Sequence, residues 1–206
     1  MSGKARVAGV VLAAGLSRRF GGEKLLARLG GRPLGGWAVR AALEAPLSQV
    51  IVVTRPELRA ALVGPEEPVR LVINHAPAEG QSGSLGLGLA AVEPRASHAL
   101  FLLADQPLVD AALIARFVDA AGDGAELAAL DGEGGSRPPA LFARRFFGQL
   151  LSRSGDAGGR EIMAAHAGDI RLMAAIPPEA AWDVDSPEDL ARLARAAGLP
   201  FDLGER

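Results

Sequence analysis

The sequence is built from short apolar runs separated by segments with helical periodicity. The clearest runs are residues 7–13, 49–54, 69–73 and 98–104, with weaker runs at 126–130 and 170–174. The first and fourth runs are apolar at successive positions, so both faces of the strands that they form must be covered by protein. Strands of this kind are typical of a parallel sheet buried between two layers of helices.

Helical patterns occupy the segments between these runs, at residues 37–45, 57–63, 82–92, 111–121, 143–152, 159–166 and 187–197. The last pattern has a clear start, because Ser186 can cap the helix and Pro187 suits its first turn. Strand–helix alternation predicts βαβ units. We therefore expect one α/β domain over residues 1–206, with three layers, a mostly parallel Rossmann-like sheet and helices on both faces. The glycine-rich stretches at 30–36 and 132–136 are predicted to be loops.

Composition excludes several classes of function. The 206 residues include no cysteine, which excludes disulfides, a thiol nucleophile and a thiolate metal site. A net charge of −2 and an aromatic content of 4% argue against binding of duplex DNA and stacking on bases. No run reaches the roughly 18 to 20 apolar residues of a membrane span, and the apolar start at 7–16 lacks a signal-peptide cleavage site. We expect a cytoplasmic protein that binds neither nucleic acid nor membranes.

Residues that follow the strands are the candidates for chemistry, because ligands of such sheets bind beyond the carboxyl ends of the strands. After the first strand, Ala14 and Gly15 would let a base or a phosphate approach the backbone, and Ser17 could contact anionic oxygens. Arg19 and Lys24 place positive charge at the same end, as a triphosphate requires. The segment is neither a Walker A loop nor a dinucleotide fingerprint, and an ordinary loop with basic residues stays the alternative.

Acidic residues after the fourth run predict a metal site. Asp105 directly follows the buried run and could hold Mg²⁺ through one carboxylate, with water and phosphates as the other ligands. A helix cap is the alternative role, but Asp110 is better placed to cap the next helix. Asp183 and Asp185 alternate before the last helix, and either could be a second ligand.

Two polar turns add further candidates. Asn74 follows the third run, and the loop at 79–85 presents glycine and serine residues at the start of a helix, where an anion or a ribose could bind. A flexible turn with Ser82 as a helix cap explains the same loop equally well. Asp156 lies in a Gly-Asp-x-Gly turn at 155–158 and would either contact substrate or cap a helix. His98 begins a strand at the opposite end of the sheet, which predicts a structural role.

Taken in chain order, these motifs resemble the molybdopterin nucleotidyltransferase (MobA-like) family, which has the GT-A-like nucleotide-diphospho-sugar transferase fold. The resemblance rests on residues 12–24, 74, 79–85, 103–107, 155–160 and 183–190, and so spans nearly the whole chain. The Leu-Ala-Ala-Gly at 12–15, the Ala-Asp-Gln-Pro at 104–107 and the turn at 155–158 are similar to the cytidylyltransferases of the family, whereas its guanylyltransferases typically carry Leu-Ala-Gly-Gly. The resemblance implies transfer of CMP from CTP to the terminal phosphate of molybdopterin, with release of pyrophosphate.

The resemblance also implies a set of site residues. Catalysis would depend on Lys24, Asp105 and Arg19, with Mg²⁺, or Mn²⁺ in its place, on Asp105 and Asp185. The nucleotide would contact Leu12, Ala13, Ala14, Gly15, Ser17, Arg19, Lys24, Asn74, Gly80, Ser82 and Ser84. The acceptor would contact Gln106, Pro139 and Asp156. The implied partners are CTP and molybdopterin, with a molybdenum hydroxylase as a candidate client enzyme.

One departure from the family pattern concerns the acceptor. Members usually carry Gly-x-Pro before a Leu-Phe pair, but this chain has Arg137 at the glycine position. A related transferase that uses GTP or another small phosphate acceptor therefore stays open. A non-catalytic nucleotide-binding partner of a molybdenum enzyme is the alternative from another class. A dehydrogenase is disfavoured, because the glycine fingerprint of nicotinamide-binding proteins is missing.

Overall fold

In the computed structural model, residues 5–132, 135–152 and 158–204 are described. The strands are β1 (Val7–Ala13), β2 (Arg28–Leu29), β3 (Arg32–Pro33), β4 (Gln49–Thr54), β5 (Arg70–Ile73), β6 (His98–Leu103), β7 (Leu127–Gly132), β8 (Gly135–Ala143), β9 (Ile170–Met173) and β10 (Phe201–Asp202). The helices are α1 (Leu34–Glu44), α2 (Arg59–Leu62), α3 (Gln81–Ala90), α4 (Ala111–Gly122), α5 (Phe147–Leu151), α6 (Gly158–Ala165) and α7 (Pro187–Ala197).

The described strands form a central seven-stranded sheet in the order β5-β4-β1-β6-β8-β7-β9. All neighbours pair in parallel except β8, which runs antiparallel to β6 on one side and to β7 on the other. A second, three-stranded sheet has the order β10-β2-β3. The predicted α/β architecture with a mostly parallel sheet is confirmed.

Apolar residues alternate between two cores, one on each face of the sheet. Val11 of β1 faces α1 and α4, while its neighbour Val10 faces α3 and the helices α5 and α6. This alternation explains why β1 is buried along nearly its whole length. On the second face, Gly88 of α3 lies directly on the sheet, since a Cβ atom there would stand 2.4 Å from Cγ1 of Val10. No helix among the described residues is long and apolar enough to cross a membrane.

The ends of several predicted elements are corrected by the structure. The predicted loop at 30–36 contains β3 and the start of α1, and the predicted loop at 132–136 contains the end of β7 and the start of β8. The predicted helix at 143–152 begins late, because residues up to Ala143 continue β8 and a short 3₁₀ turn precedes α5. Tertiary pairing explains the late start of this helix, since the second half of β8 pairs with β6 and is buried there.

The capping predictions for two helices are confirmed. Asp110 caps α4 by accepting a hydrogen bond of 2.7 Å from the backbone N–H of Leu113. Ser186 caps α7 and forms a reciprocal capping box with Asp189. Because Asp110 caps α4, the alternative role of Asp105 as the cap of this helix is not needed.

Candidate active site

The carboxyl ends of β1, β4 and β6 lie side by side and carry the charged residues of the site. β1 pairs with β4 on one side and β6 on the other. The turn after β6 is tied to β1 by a hydrogen bond of 3.1 Å from Ala104 N to Leu12 O. Asp105 O accepts 3.0 Å from Val184 N, which brings the segment before α7 to the same edge. Residues that are far apart in the sequence therefore meet at one edge of the sheet.

Lys24 lies at the centre of this cluster and is almost fully buried. Its Nζ donates to Asp105 Oδ2 at 2.7 Å, to Val184 O at 2.8 Å and to Asp185 Oδ1 at 3.2 Å. Burial alone lowers the pKa of Lys24, but the two carboxylates outweigh burial and hold the pKa above its usual value. Lys24 is thus an ammonium group that is charged at neutral pH and lies beside two carboxylates.

Glu23 and Arg55 fix the loop that carries Lys24, and sequence reasoning missed both. Glu23 Oε1 accepts from the Ser17 hydroxyl at 3.0 Å, and the other Glu23 oxygen pairs with the guanidinium of Arg55. Ser17 in turn accepts a hydrogen bond of 3.3 Å from the backbone of Lys24 and adopts the left-handed conformation at φ +50°. The position of Arg55, directly after β4, was the available signal, because it places the residue at the same edge.

A cavity of about 530 Å³ opens over the loop after β1. Predicted nucleotide-binding residues that line it are Leu12, Ala14, Gly15, Ser17, Arg19, Lys24, Gly80 and Ser84, together with Asp105 and Asp185. The space above Gly15 is open, since a Cβ atom built there meets nothing within 4 Å. Arg19 is 78% exposed and pairs with Asp185 at 2.9 Å. The structure therefore brings most of the predicted nucleotide-binding residues together in one cleft.

Three predicted nucleotide-binding residues lie outside this cleft. Ala13 is buried within β1 and does not line the cavity. Asn74 is buried and donates 2.9 Å to Ser84 Oγ, so it holds the first turn of α3 in place. Ser82 lies in α3, which has Gly80 as its N-cap, and lines a second cavity instead.

The second cavity, of about 440 Å³, adjoins the first and shares Leu12, Gln81, Leu103 and Arg160 with it. Arg137 and Asp183 line it. Of the predicted acceptor-binding residues, Gln106 is buried and donates to Pro138 O at 3.2 Å, and Pro139 is buried in β8. Neither residue lines this cavity. Asp156 lies outside the described residues.

Asp183 differs from Asp185 in its surroundings. The pKa of Asp183 is raised, first by desolvation and next by the negative charge of Asp105, although Asp183 is an exposed residue. Asp185, by contrast, contacts the cations Lys24 and Arg19. Of the two alternatives that the sequence leaves open, Asp185 is thus the one that shares Lys24 with Asp105.

The donor set at Asp105 fits a hard divalent cation. Asp105 Oδ1 is buried without a hydrogen-bond partner in the described structure, and the Oδ2 atom faces a cation. Within the described residues, no group of three or more potential metal ligands comes together. Mg²⁺ needs no such group, because one or two carboxylates with substrate phosphates and water complete its coordination.

The fold and this edge of the sheet define the chain as an α/β nucleotidyltransferase. A nucleotidyl transferase from Methanothermobacter thermautotroptrophicus has the same fold, with a TM-score of 0.80 at 26% identity over 93% of this chain and 97% of that one. The chain belongs to the MobA-like NTP transferase domain family, whose model matches residues 9–170.

The names of three similar proteins indicate different activities. The chain is similar to the purine catabolism protein PucB of Bacillus subtilis, with 29% identity over 91% of this chain and 96% of the relative. It is 30% identical to nicotine blue oxidoreductase of Paenarthrobacter nicotinovorans, over 91% of this chain and 96% of the relative. A probable molybdenum cofactor guanylyltransferase of Chloroflexus aggregans is 39% identical over 53% of this chain and 50% of the relative.

Solved structures from mycobacteria are similar over the full fold. The Rv0371c homologue from Mycobacterium sp. strain JC1 has a TM-score of 0.79 at 31% identity, over 94% of this chain and 97% of that one. Rv0371c from Mycobacterium tuberculosis, in complex with manganese, has a TM-score of 0.76 at 27% identity, over 93% of this chain and 100% of that one. Manganese therefore binds to one protein of this fold.

Proposed function

We propose that the chain transfers CMP from CTP to the terminal phosphate of molybdopterin and releases pyrophosphate. The observation that carries the proposal is the position of Lys24 between Asp105 and Asp185, next to the open backbone at Gly15. A buried ammonium beside two carboxylates offers both a phosphate-binding cation and ligands for a metal. Membership of the MobA-like family supports this class of reaction.

The choice of CTP rests on the loop after β1. The segment 12–15 reads Leu-Ala-Ala-Gly, which resembles the cytidylyltransferases of the family. Ala14 and Gly15 line the cleft at this point, so the base and the first phosphate would approach the backbone here.

The chain's main contribution would be positioning and neutralisation of charge. A phosphate monoester is mostly a dianion at neutral pH, so the attacking group needs no strong base. Two unit charges 4 Å apart repel by about 4 kcal/mol at an effective dielectric near 20. Lys24 and Arg19 would offset this repulsion and stabilise the leaving pyrophosphate. Mg²⁺, or Mn²⁺, held by Asp105 and Asp185 would supply further neutralisation of the phosphates.

The proposal is tested by a pyrophosphate-release assay. CTP, GTP and ATP are each supplied with Mg²⁺, with and without molybdopterin. We expect release with CTP in the presence of molybdopterin. Preference for GTP would contradict the interpretation of the loop at 12–15, and CTP binding without pyrophosphate release would favour a non-catalytic partner protein.

The substitution Asp105→Asn tests the metal role of this residue. We expect kcat to fall by roughly 100- to 1,000-fold, because the lost charge acts on the transition state. The variant should still fold, since Lys24 keeps Val184 O and Asp185 as partners. The matched control is Asp110→Asn, since asparagine caps a helix about as well as aspartate and Asp110 caps α4 away from the cleft. Near-normal turnover of Asp105→Asn would contradict the metal role.

A further inference from the structure

The second cavity contains an arginine that has no hydrogen-bond partner within the described part of the chain. Arg137 lies at the start of β8, is half-buried and lines the cavity. Among the described residues, its guanidinium makes no hydrogen bond or ion pair, although it lies close enough to lower the pKa of Asp183 by its charge. A half-buried guanidinium with five unused N–H donors is suited to a ligand that presents oxygen acceptors.

Gly132 provides the space in which the Arg137 side chain lies. A Cβ atom at Gly132 would stand 2.5 Å from Cδ and 2.7 Å from Nε of Arg137. The side chain therefore crosses the end of β7 where any larger residue would displace it. The glycine at this position thus lets the arginine pack against the end of β7 while it lines the cavity.

Asp183 adds hydrogen-bond acceptors to the same cavity. Asp183 lines the cavity as an exposed residue, so its carboxylate oxygens are accessible to a ligand. Because a carboxylate repels anions, a ligand that is only anionic would gain little from Arg137 beside Asp183. A ligand edge that carries both acceptors and donors satisfies both side chains.

The cavity, which is also lined by the polar residues Gln81, Ser82 and Ser136, has an apolar part that is suited to a flat ring. Its apolar lining includes Leu12, Leu85, Phe101, Leu103, Phe142 and Met163. A sugar, which carries hydroxyls on every side, would leave many of them unpaired against this surface. A planar heteroaromatic ring buries its faces on apolar side chains and keeps its polar atoms at the edge.

We propose that Arg137 and Asp183 are specificity-determining residues that recognise the edge of a planar heteroaromatic ring on the acceptor. Arg137 donates to a ring carbonyl oxygen, and Asp183 accepts from an exocyclic amino group of the ring. This inference rests on the proposed function in taking the second cavity as the acceptor side. It assigns a role to the arginine that stands at the family's glycine position.

The test measures binding of two matched probes to the purified chain by titration calorimetry. Pterin carries a 2-amino group, and lumazine has a carbonyl in its place. We expect the wild-type chain to bind pterin about tenfold tighter than lumazine, and Asp183→Ala to lose this preference, because one charge-assisted hydrogen bond distinguishes the probes. Arg137→Met should weaken both probes by about tenfold and leave CTP binding unchanged.

A second arginine of the cavity provides the control. Arg160 is exposed and lines both cavities, so Arg160→Met should leave the preference for pterin intact. Arg137→Lys, which keeps the charge but loses the forked donors, serves as the second variant should Arg137→Met unfold. Equal binding of the two probes by the wild-type chain would overturn the proposal, as would a preference that survives Asp183→Ala. Absence of pyrophosphate release with an intact preference for pterin would instead contradict the proposed transferase activity.

Discussion

At the scale of single residues, Lys24 occupies a position that a divalent cation could share. Its Nζ contacts Asp105 and Asp185, the two proposed metal ligands. Removing the ammonium leaves Asp105 without a counter-charge, while Asp185 keeps only its pair with the exposed Arg19, and such a loss is costly. Lys24 therefore provides most of the charge balance at these two carboxylates.

The substitution Lys24→Met tests this balance. We expect the variant to have a lower Tm than the wild-type chain, and MgCl₂ to raise its Tm by more than it raises that of the wild type, because a cation then replaces the ammonium. Thermal unfolding with and without MgCl₂ provides the measurement, with NaCl of equal ionic strength as the control. Equal effects of MgCl₂ on the two proteins would show that Lys24 and the metal do not share the carboxylates.

His98 shows how a buried residue links stability to pH. Its ring contacts Ser97 Oγ and Ala125 O, far from the cleft, which agrees with the predicted structural role. Burial lowers its pKa below the usual value of 6.5 despite the hydrogen bond to Ala125. The unfolded chain therefore binds the proton more tightly, and stability is lost as the pH falls below 6.5.

The matching variant is His98→Gln, which keeps a polar side chain and removes the titration. We expect a decrease of pH from 7.5 to 5.5 to reduce the free energy of unfolding more for the wild-type chain than for the variant. Urea denaturation at the two pH values measures the difference. An identical pH dependence in the two proteins would mean that His98 does not contribute to it.

At the scale of elements, α3 is set close to the sheet by a glycine. A Cβ atom at Gly88 would stand 2.4 Å from Val10 Cγ1 and 3.0 Å from Val53 Cγ2, whereas at Gly86 its nearest contact would be Leu151 at 3.9 Å. The short distance between helix and sheet places the first turn of α3, with Gly80 and Ser84, against the cleft.

Two alanine substitutions in the same helix separate packing from helix propensity. We expect Gly88→Ala to lower the free energy of unfolding by about 1–3 kcal/mol through overpacking. Gly86→Ala should raise it by about 0.5–1 kcal/mol, since alanine favours helix and the site has room. Urea unfolding of both variants is the measurement, and a neutral Gly88→Ala would show that α3 can move away from the sheet.

The sequence predicts the elements that local patterns determine, and it fails for those that tertiary pairing determines. β1, β4 and β6 were predicted within a residue of their observed ends, because continuous apolar runs bounded by polar turns decide them locally. β8 was missed as a strand, because Pro138 and Pro139 break its pattern and pairing with β6 and β7 decides its conformation. The rule that site residues follow strands also fails there, since an antiparallel strand presents its first residues at the active edge.

For the candidate site, too, the sequence predicts residues that follow strands, but it does not predict contacts between separate segments. Lys24, Asp105 and Asp185 were predicted from their positions after strands and before a helix, and the structure brings them into contact. Arg55 and Glu23 act through an ion pair between separate segments, so their partnership is not visible in the sequence. Gln106 and Asn74 were predicted to contact substrates, but burial turns their side chains toward β8 and α3.

At the scale of the whole molecule, Leu12 and Leu103 line both cavities. The two residues are paired with each other near the carboxyl ends of the neighbouring strands β1 and β6. Molecules bound in the two cavities would therefore contact the same two side chains. If the binding of one substrate changes the affinity for the other through these leucines, the second substrate must change the affinity for the first by the same factor, because thermodynamic coupling is reciprocal. Replacement of either leucine would therefore change the affinities of both cavities for their ligands. Comparing the two changes in affinity would measure how strongly binding in one cavity is coupled to binding in the other.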